Sequence, residues 1–334
     1  MIAYKDIRSV HLEISSLCNA SCPWCPRNFW GYPYNSGYPE TNLTLEQAKK
    51  IFKPDFLQQI NKIHINGNFG DIVMNPEGHH IVKYFYSINP DLEINISTNG
   101  SARNREFWET LGGTPAKILF CLDGLEDTHH LYRKNTVYTT VINNAKSFIA
   151  AGGYAIWKLI KFKHNINQIE DCKQLSVDLG FQEFEIVESD RVDAPVYDNQ
   201  GNLSYILGDY KGETSFPLLF HKKRTDSILL EDIVSGRKEK SKIQCQAKQN
   251  QEIYITSTGE VYPCCYTGFY PRTYGHGQYH QAANAQLVPH IDKNNALAHS
   301  LSECIEWFNG VEQAWNKKTY SDGRLVICDD NCGN

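Results

Sequence analysis

An α/β fold, a partial (β/α)6 TIM-like barrel followed by a small C-terminal module, is predicted by three features of this 334-residue sequence. Strand-like runs alternate with helical patterns between residues 8 and 187, the rhythm of parallel βαβ units with right-handed crossovers. The chemically distinctive residues fall just after the strands, where such barrels carry their functional loops. Near residue 188 the rhythm stops, and a cysteine-bearing segment closes the chain. The expected division is therefore a barrel over 1–187, a connector over 188–243 and a module over 244–334.

The first strand lies within residues 8–14, and Glu13 stands just before a cysteine loop. That loop runs on through Arg27 to Pro39, rich in aromatics, Gly and Pro, so no long regular element fits it. Thr44-x-x-Gln47 is a capping box ahead of Ala48 and Ile51 and starts a helix. Lys62-Ile-His-Ile-Asn66 is the second strand, ending at Gly67-Asn-Phe-Gly70-Asp71, and Pro76 opens a helix through Ser87. Leu92 to Ser97 is the third strand, followed by a helix from Asn104 to Leu111. Lys117 to Leu122 is the fourth, ending at Asp123-Gly124. A helix over Thr139 to Ala151 stops at Gly152-Gly153, as helix C-termini often do. Ala155 to Phe162 is the fifth strand, Gln168 to Leu179 a helix ended by Gly180, and Phe184 to Val187 the sixth strand.

Glu188 to Ile243 is polar and reads as a connector with little regular structure, covering part of the barrel mouth. Its basic run from Gly236 to Lys242 reads as a solvated turn. Further on, Ser257-Thr258-Gly259 between two alternating runs signals a hairpin that leads into Cys264-Cys265. Residues Asn294 to Trp307 look helical, and the chain closes on Cys328-x3-Cys332.

Composition narrows the function. A net charge of −5 offers no global basic field for nucleic acid. No basic-then-apolar leader opens the sequence, and no run approaches the roughly 18 apolar residues of a membrane span. The expected location is the cytoplasm. There, eleven cysteines point to metal ligation or redox chemistry rather than disulfides.

The sharpest signal is Cys18-x3-Cys22-x2-Cys25. A structural zinc site asks for four closed ligands, and a disulfide framework for a dispersed even set. Three close thiolates instead suit three corners of a 4Fe–4S cube, leaving one iron open for a cofactor. With Trp24 before the last cysteine, this spacing resembles the radical S-adenosylmethionine (SAM) superfamily.

The resemblance extends along nearly the whole chain. It implies that Cys18, Cys22 and Cys25 ligate the cluster, and that SAM chelates the open iron through its amino and carboxylate groups. Asn68-Phe-Gly70-Asp71 matches the family's motif for the SAM amino group, with Asp where Glu is usual. Ser97 and Asn99 match the strand ending that faces the SAM ribose. Cys121-Leu-Asp-Gly followed by Tyr132-Arg133 resembles a Ser-x-Asp-Gly…Tyr-Arg pattern in which Arg pairs with the SAM carboxylate. Cys121 replaces that serine, so it reads either as a weak polar contact or as a small buried residue. The C-terminal module resembles the SPASM/twitch extension, opened by Cys245-x13-Gly259-x4-Cys264. Four ligands, Cys245, Cys264, Cys328 and Cys332, suffice for one auxiliary 4Fe–4S cluster, the twitch arrangement. Cys265 and Cys304 are left over, and a zinc ribbon is the competing reading.

Other residues carry less. His79-His80 and His129-His130 read as surface histidines, and Lys158 as either barrel-facing or snorkelling. Glu13 and Glu188 are strand-end carboxylates without an assigned role. The family implies reductive cleavage of SAM to a 5′-deoxyadenosyl radical, which takes hydrogen from the substrate while the auxiliary cluster accepts an electron. A ribosomal precursor peptide is the expected substrate, met directly or through a free-standing recognition protein, with flavodoxin or ferredoxin as reductant. An aminosugar-type dehydrogenase and a non-enzymatic iron–sulfur electron carrier are the alternatives.

Overall fold

The computed structural model describes residues 2–33, 38–188, 193–209, 211, 212, 214, 242–269 and 277–334, with no side-chain description for 277–281. Most of the basic run from Gly236 lies outside these residues.

Six strands form the expected parallel series: β1 (Ser9–Leu12), β4 (Lys62–Ile65), β5 (Glu93–Thr98), β6 (Lys117–Cys121), β7 (Tyr154–Ile160) and β8 (Glu183–Val187). They lie side by side in that order, each parallel to the next. In the gap between β1 and β4 sits a minute hairpin, β2 (Asn28–Phe29) with β3 (Tyr32–Pro33), inside the aromatic loop. Alternation along each strand divides the side chains between two faces. Val10, Leu12, Ile63, Ile65, Ile94, Ile96, Ile118 and Phe120 are all buried in one core with the surrounding helices. The opposite face is polar: His11, His64 and Asn95 stand in register across β1, β4 and β5. Lys158 takes this face too, paired with Glu185 at 3.2 Å.

The helices follow their sequence signals. Helix α1 (Leu45–Ile51) begins with the capping box, Gln47 N–H donating to Thr44 Oγ1 at 3.1 Å and Thr44 N–H to Gln47 Oε1 at 2.9 Å. A short α2 (Pro54–Gln59) with proline in its first turn follows, then α3 (Gly78–Ile88). Asn104 caps α4 (Arg105–Gly112). Helix α5 (Glu126–Tyr132) was not anticipated; α6 (Tyr138–Ala150) and α7 (Ile169–Asp178) were. Gly180, past α7, has φ of +86°, a left-handed conformation that glycine adopts without strain.

Three expectations change. Within 188–243 the structure has an antiparallel pair, β9 (Ala194–Tyr197) and β10 (Leu203–Leu207), whose Val196 and Leu207 pack with Ala20, Cys22 and Tyr132. The C-terminal hairpin, β11 (Glu252–Ile255) with β12 (Val261–Tyr262), forms as expected. However, β11 also pairs in parallel with β1, so the main sheet has eight strands. The helix expected over 294–307 is confined to Leu301–Cys304, because Asn295 makes a bridge to Glu260 and its side chain holds Leu297 N–H in a turn.

Candidate functional site

The strand ends converge on a cavity of about 900 Å³. Every residue expected at the first site lines it: Cys18, Cys22 and Cys25 with Trp24; Asn68, Gly70 and Asp71; Ser97 and Asn99; Cys121; and Arg133. Gly70 owes its identity to close packing, since a Cβ there would lie 1.7 Å from the Ser15 carbonyl oxygen.

Two of the three thiols, those of Cys18 and Cys22, meet nitrogen donors. Ala20 N–H and Asn99 Nδ2 lie 3.4 and 3.6 Å from Cys18 Sγ, and Arg133 Nη1 lies 3.9 Å from Cys22 Sγ. Hydrogen bonds of this kind are what cluster thiolates receive. Burial pushes the Cys22 thiol up to about 12, against the pull of the Arg133 guanidinium. Among the described residues no three His, Cys, Asp or Glu side chains converge as ligands of a single ion. A cube takes one thiolate per iron corner, so its ligands surround a body rather than meet at a point. The donor set fits a cluster.

The acid of the second strand's loop is heavily used by the protein. Asp71 Oδ1 accepts from Thr98 Oγ1 at 2.6 Å and Val73 N–H at 3.1 Å, and Oδ2 accepts from Asn99 N–H at 2.7 Å. A carboxylate has about four acceptor positions, so one on Oδ2 is left for a ligand. Asn68 is engaged as well: its N–H donates to Glu13 Oε2 at 2.9 Å and its side-chain amide to the Cys265 carbonyl at 2.8 Å. Asn99 ties the third strand's end to the cysteine loop, its Nδ2 donating to Asn19 Oδ1 at 3.0 Å.

Arg133 is held by a buried polar network. Its Nε donates to Asp123 Oδ2 at 2.5 Å, and Asp123 Oδ1 accepts from Ile160 N–H at 2.6 Å. Burial opposes the guanidinium charge, but the Asp123 carboxylate outweighs it and keeps Arg133 protonated. His129 Nδ1 accepts the Asp123 N–H at 3.2 Å, so its Nε2 carries the hydrogen toward Thr136 Oγ1, 3.0 Å away. His129 is therefore a core residue and not the surface histidine its sequence context suggested, and His79 is buried too. Burial drives the His129 imidazole down to about 3.

Phe29 and Trp30 of the aromatic loop and Phe69 line the cavity too, as do His11 and Phe269, which the sequence had not singled out. His11 carries no motif; only its register on β1 places it there.

A second pocket lies close by. All four of the remaining expected ligands, Cys245, Cys264, Cys328 and Cys332, line it, and all are free thiols. Cys328 and Cys332 share one face of the helix Val326–Cys332, four residues apart. Gln244 N–H donates to the Cys332 carbonyl at 2.7 Å, which brings Cys245 alongside. Burial pushes the Cys264 thiol up to about 12 as well. Tyr266 and Asn331 line both pockets, so the two sites share a wall. Of the leftover cysteines, Cys304 is in the core and Cys265 faces the first cavity.

The fold has similar counterparts among solved structures. No family profile matches the sequence, and no curated protein matches it. Among solved structures, Streptococcus suis SuiB bound to S-adenosylmethionine is similar at a TM-score of 0.57 and 14% identity, over 97% of this chain and 72% of that one. SuiB bound to precursor peptide SuiA gives 0.57 and 15%, over 98% and 73%. Native anSMEcpe with bound AdoMet and Cp18Cys peptide gives 0.53 and 16%, over 97% and 88%. At such identities the likeness establishes the fold.

Proposed function

We propose that this chain is a radical SAM enzyme carrying two 4Fe–4S clusters, one held by Cys18, Cys22 and Cys25 and one by Cys245, Cys264, Cys328 and Cys332. The observation that carries the reading is the convergence, on one cavity, of residues drawn from four separate strand ends. When bound, the first cluster and SAM supply a 5′-deoxyadenosyl radical that abstracts hydrogen from an unactivated carbon. Arg133, fixed by Asp123, binds the SAM carboxylate, and the backbone of residues 67–70 with Asp71 Oδ2 meets the ammonium. Ser97 and Asn99 face the ribose, Cys121 lies at the nucleoside, and Trp24, which lines the same cavity, completes the SAM site.

The substrate in this reading is a ribosomal precursor peptide, and the net change is an oxidation. Two of the similar structures are peptide complexes by their descriptions. A cavity of about 900 Å³ leaves room beside a nucleoside for a side chain. A second cluster held by Cys245, Cys264, Cys328 and Cys332 would supply an electron acceptor on the far side of the wall formed by Tyr266 and Asn331. Flavodoxin or ferredoxin acts as reductant, and a free-standing protein presents the peptide. No helix among the described residues is long and apolar enough to cross a membrane, in keeping with a cytoplasmic location.

Short peptides encoded beside the gene, incubated with reduced enzyme and SAM and weighed by mass spectrometry, test the substrate. Loss of hydrogen from a peptide supports the reading. Oxidation of an aminosugar with every peptide unchanged overturns the peptide assignment.

A further inference from the structure

The second pocket contains a hydrogen-bond donor without a partner among the described residues. Trp315 lines it together with Cys328, and its indole Nε1 is buried and unpartnered there. The groups that share the pocket with it are the sulfurs of Cys245, Cys264, Cys328 and Cys332, and the one anchored together with it is that of Cys328. Both partners are held in place by one buried anchor. Arg324 donates through Nη1 to the Trp315 carbonyl at 3.0 Å and through Nη2 to Asp329 Oδ1 at 2.5 Å, one residue along the helix from Cys328. The Tyr320 hydroxyl donates to the other Asp329 oxygen at 2.7 Å. Thr267 Oγ1, 3.6 Å from Cys264 Sγ, is less available, because its hydrogen goes to the Cys264 carbonyl at 2.8 Å.

A neutral thiol is a weak acceptor, whereas a cluster thiolate is a strong one. We infer that Trp315 is a positioning residue that raises the reduction potential of the cluster at Cys245, Cys264, Cys328 and Cys332, by donating its indole N–H to the Cys328 thiolate. The inference rests on the two-cluster reading. The reduced cluster carries one more electron, part of it on the sulfurs, so a donor fixed at a sulfur stabilises the reduced form. The consequence is a second cluster better suited to take an electron from the substrate.

The test uses the full chain, reconstituted without oxygen, in redox titrations followed by electron paramagnetic resonance. Trp315→Phe is expected to move the second cluster's potential to a more negative value and leave the first cluster's unchanged. Trp307→Phe, which removes another unpartnered indole N–H outside the pocket, is expected to move neither. In the wild-type protein, electron–nuclear double resonance should find an exchangeable proton coupled to the second cluster. Two clusters in Trp315→Phe with an unchanged potential would overturn the inference alone. If that variant fails to hold the second cluster, absence of the coupled proton in wild type overturns it instead. Only one cluster in the wild-type protein overturns the two-cluster reading and this inference with it.

Discussion

The Asn68 side-chain amide donates to the Cys265 carbonyl at 2.8 Å, joining the loop after the second barrel strand to the segment that carries Cys264. Around this bond, Phe69 stacks on Phe269 with ring centroids 5.5 Å apart. The Tyr254 hydroxyl, from β11, donates to the same Glu13 oxygen that receives the Asn68 N–H. The loop proposed to face SAM is thus shaped from both ends of the chain.

Removing that tie should weaken cofactor binding. Asn68→Ala is expected to lower SAM affinity by about five- to tenfold, the equivalent of one hydrogen bond of about 1–1.5 kcal/mol. Anaerobic equilibrium dialysis with labelled SAM checks this. Unchanged affinity would show that Phe69 and Glu13 hold the loop without it.

Glu13 makes stability depend on pH. Burial raises its carboxyl from 4.5 to about 7, against the opposing hydrogen bonds from Tyr254 and Asn68. A raised native pKa means the folded state binds the proton more tightly. Its stabilising contribution is therefore complete below about 4.5 and is lost as pH rises through about 7. Glu13→Gln keeps an acceptor and removes the titration. Relative to this variant, the wild type should lose up to about 3 kcal/mol between those limits, at 1.36 kcal/mol per unit. Urea unfolding of both proteins at pH 5 and pH 8 measures the difference; a gap that does not change with pH contradicts it.

The Asp123–Arg133 pair should be costly to split. Asp123 is fully buried and Arg133 nearly so. Asp123→Ala leaves the guanidinium without its partner and is expected to destabilise the fold by about 3–5 kcal/mol. Arg133→Lys, which keeps the charge but loses the planar fork, should retain more stability while losing SAM affinity. Thermal unfolding and SAM binding, measured side by side, separate the two effects.

The cysteine sets should act independently. Cys332→Ser is expected to keep the first cluster, and Cys22→Ala the second, so each variant should hold about four irons. Iron and sulfide counts after reconstitution decide this. A variant that loses both clusters would mean the two sites assemble as one unit.

Much of this was legible in the sequence because its signals are local. The Thr44–Gln47 box, the six alternating strands and the spacing of Cys18, Cys22 and Cys25 each declare themselves within a few residues. What the sequence did not disclose depends on distant pairing. The strand Glu252–Ile255 reads as half of a hairpin, and nothing local says that its other edge adds to β1. The polar segment before it hid the β9–β10 pair, whose inward residues Val196 and Leu207 are too few to make a pattern. His129 read as a surface residue because no partner pattern surrounds it in the sequence, yet it is fully buried and bonded to Asp123 N–H. Asp71 was legible as an acid lining the site, but not the three protein donors that occupy most of its carboxylate.

The most direct test of the two-cluster enzyme is anaerobic reconstitution followed by iron counting and a SAM-cleavage assay with dithionite. About eight irons per chain are expected, with 5′-deoxyadenosine formed by the wild type and abolished in Cys22→Ala. Intact SAM with both clusters loaded, in the presence of candidate peptides and aminosugars alike, would contradict it.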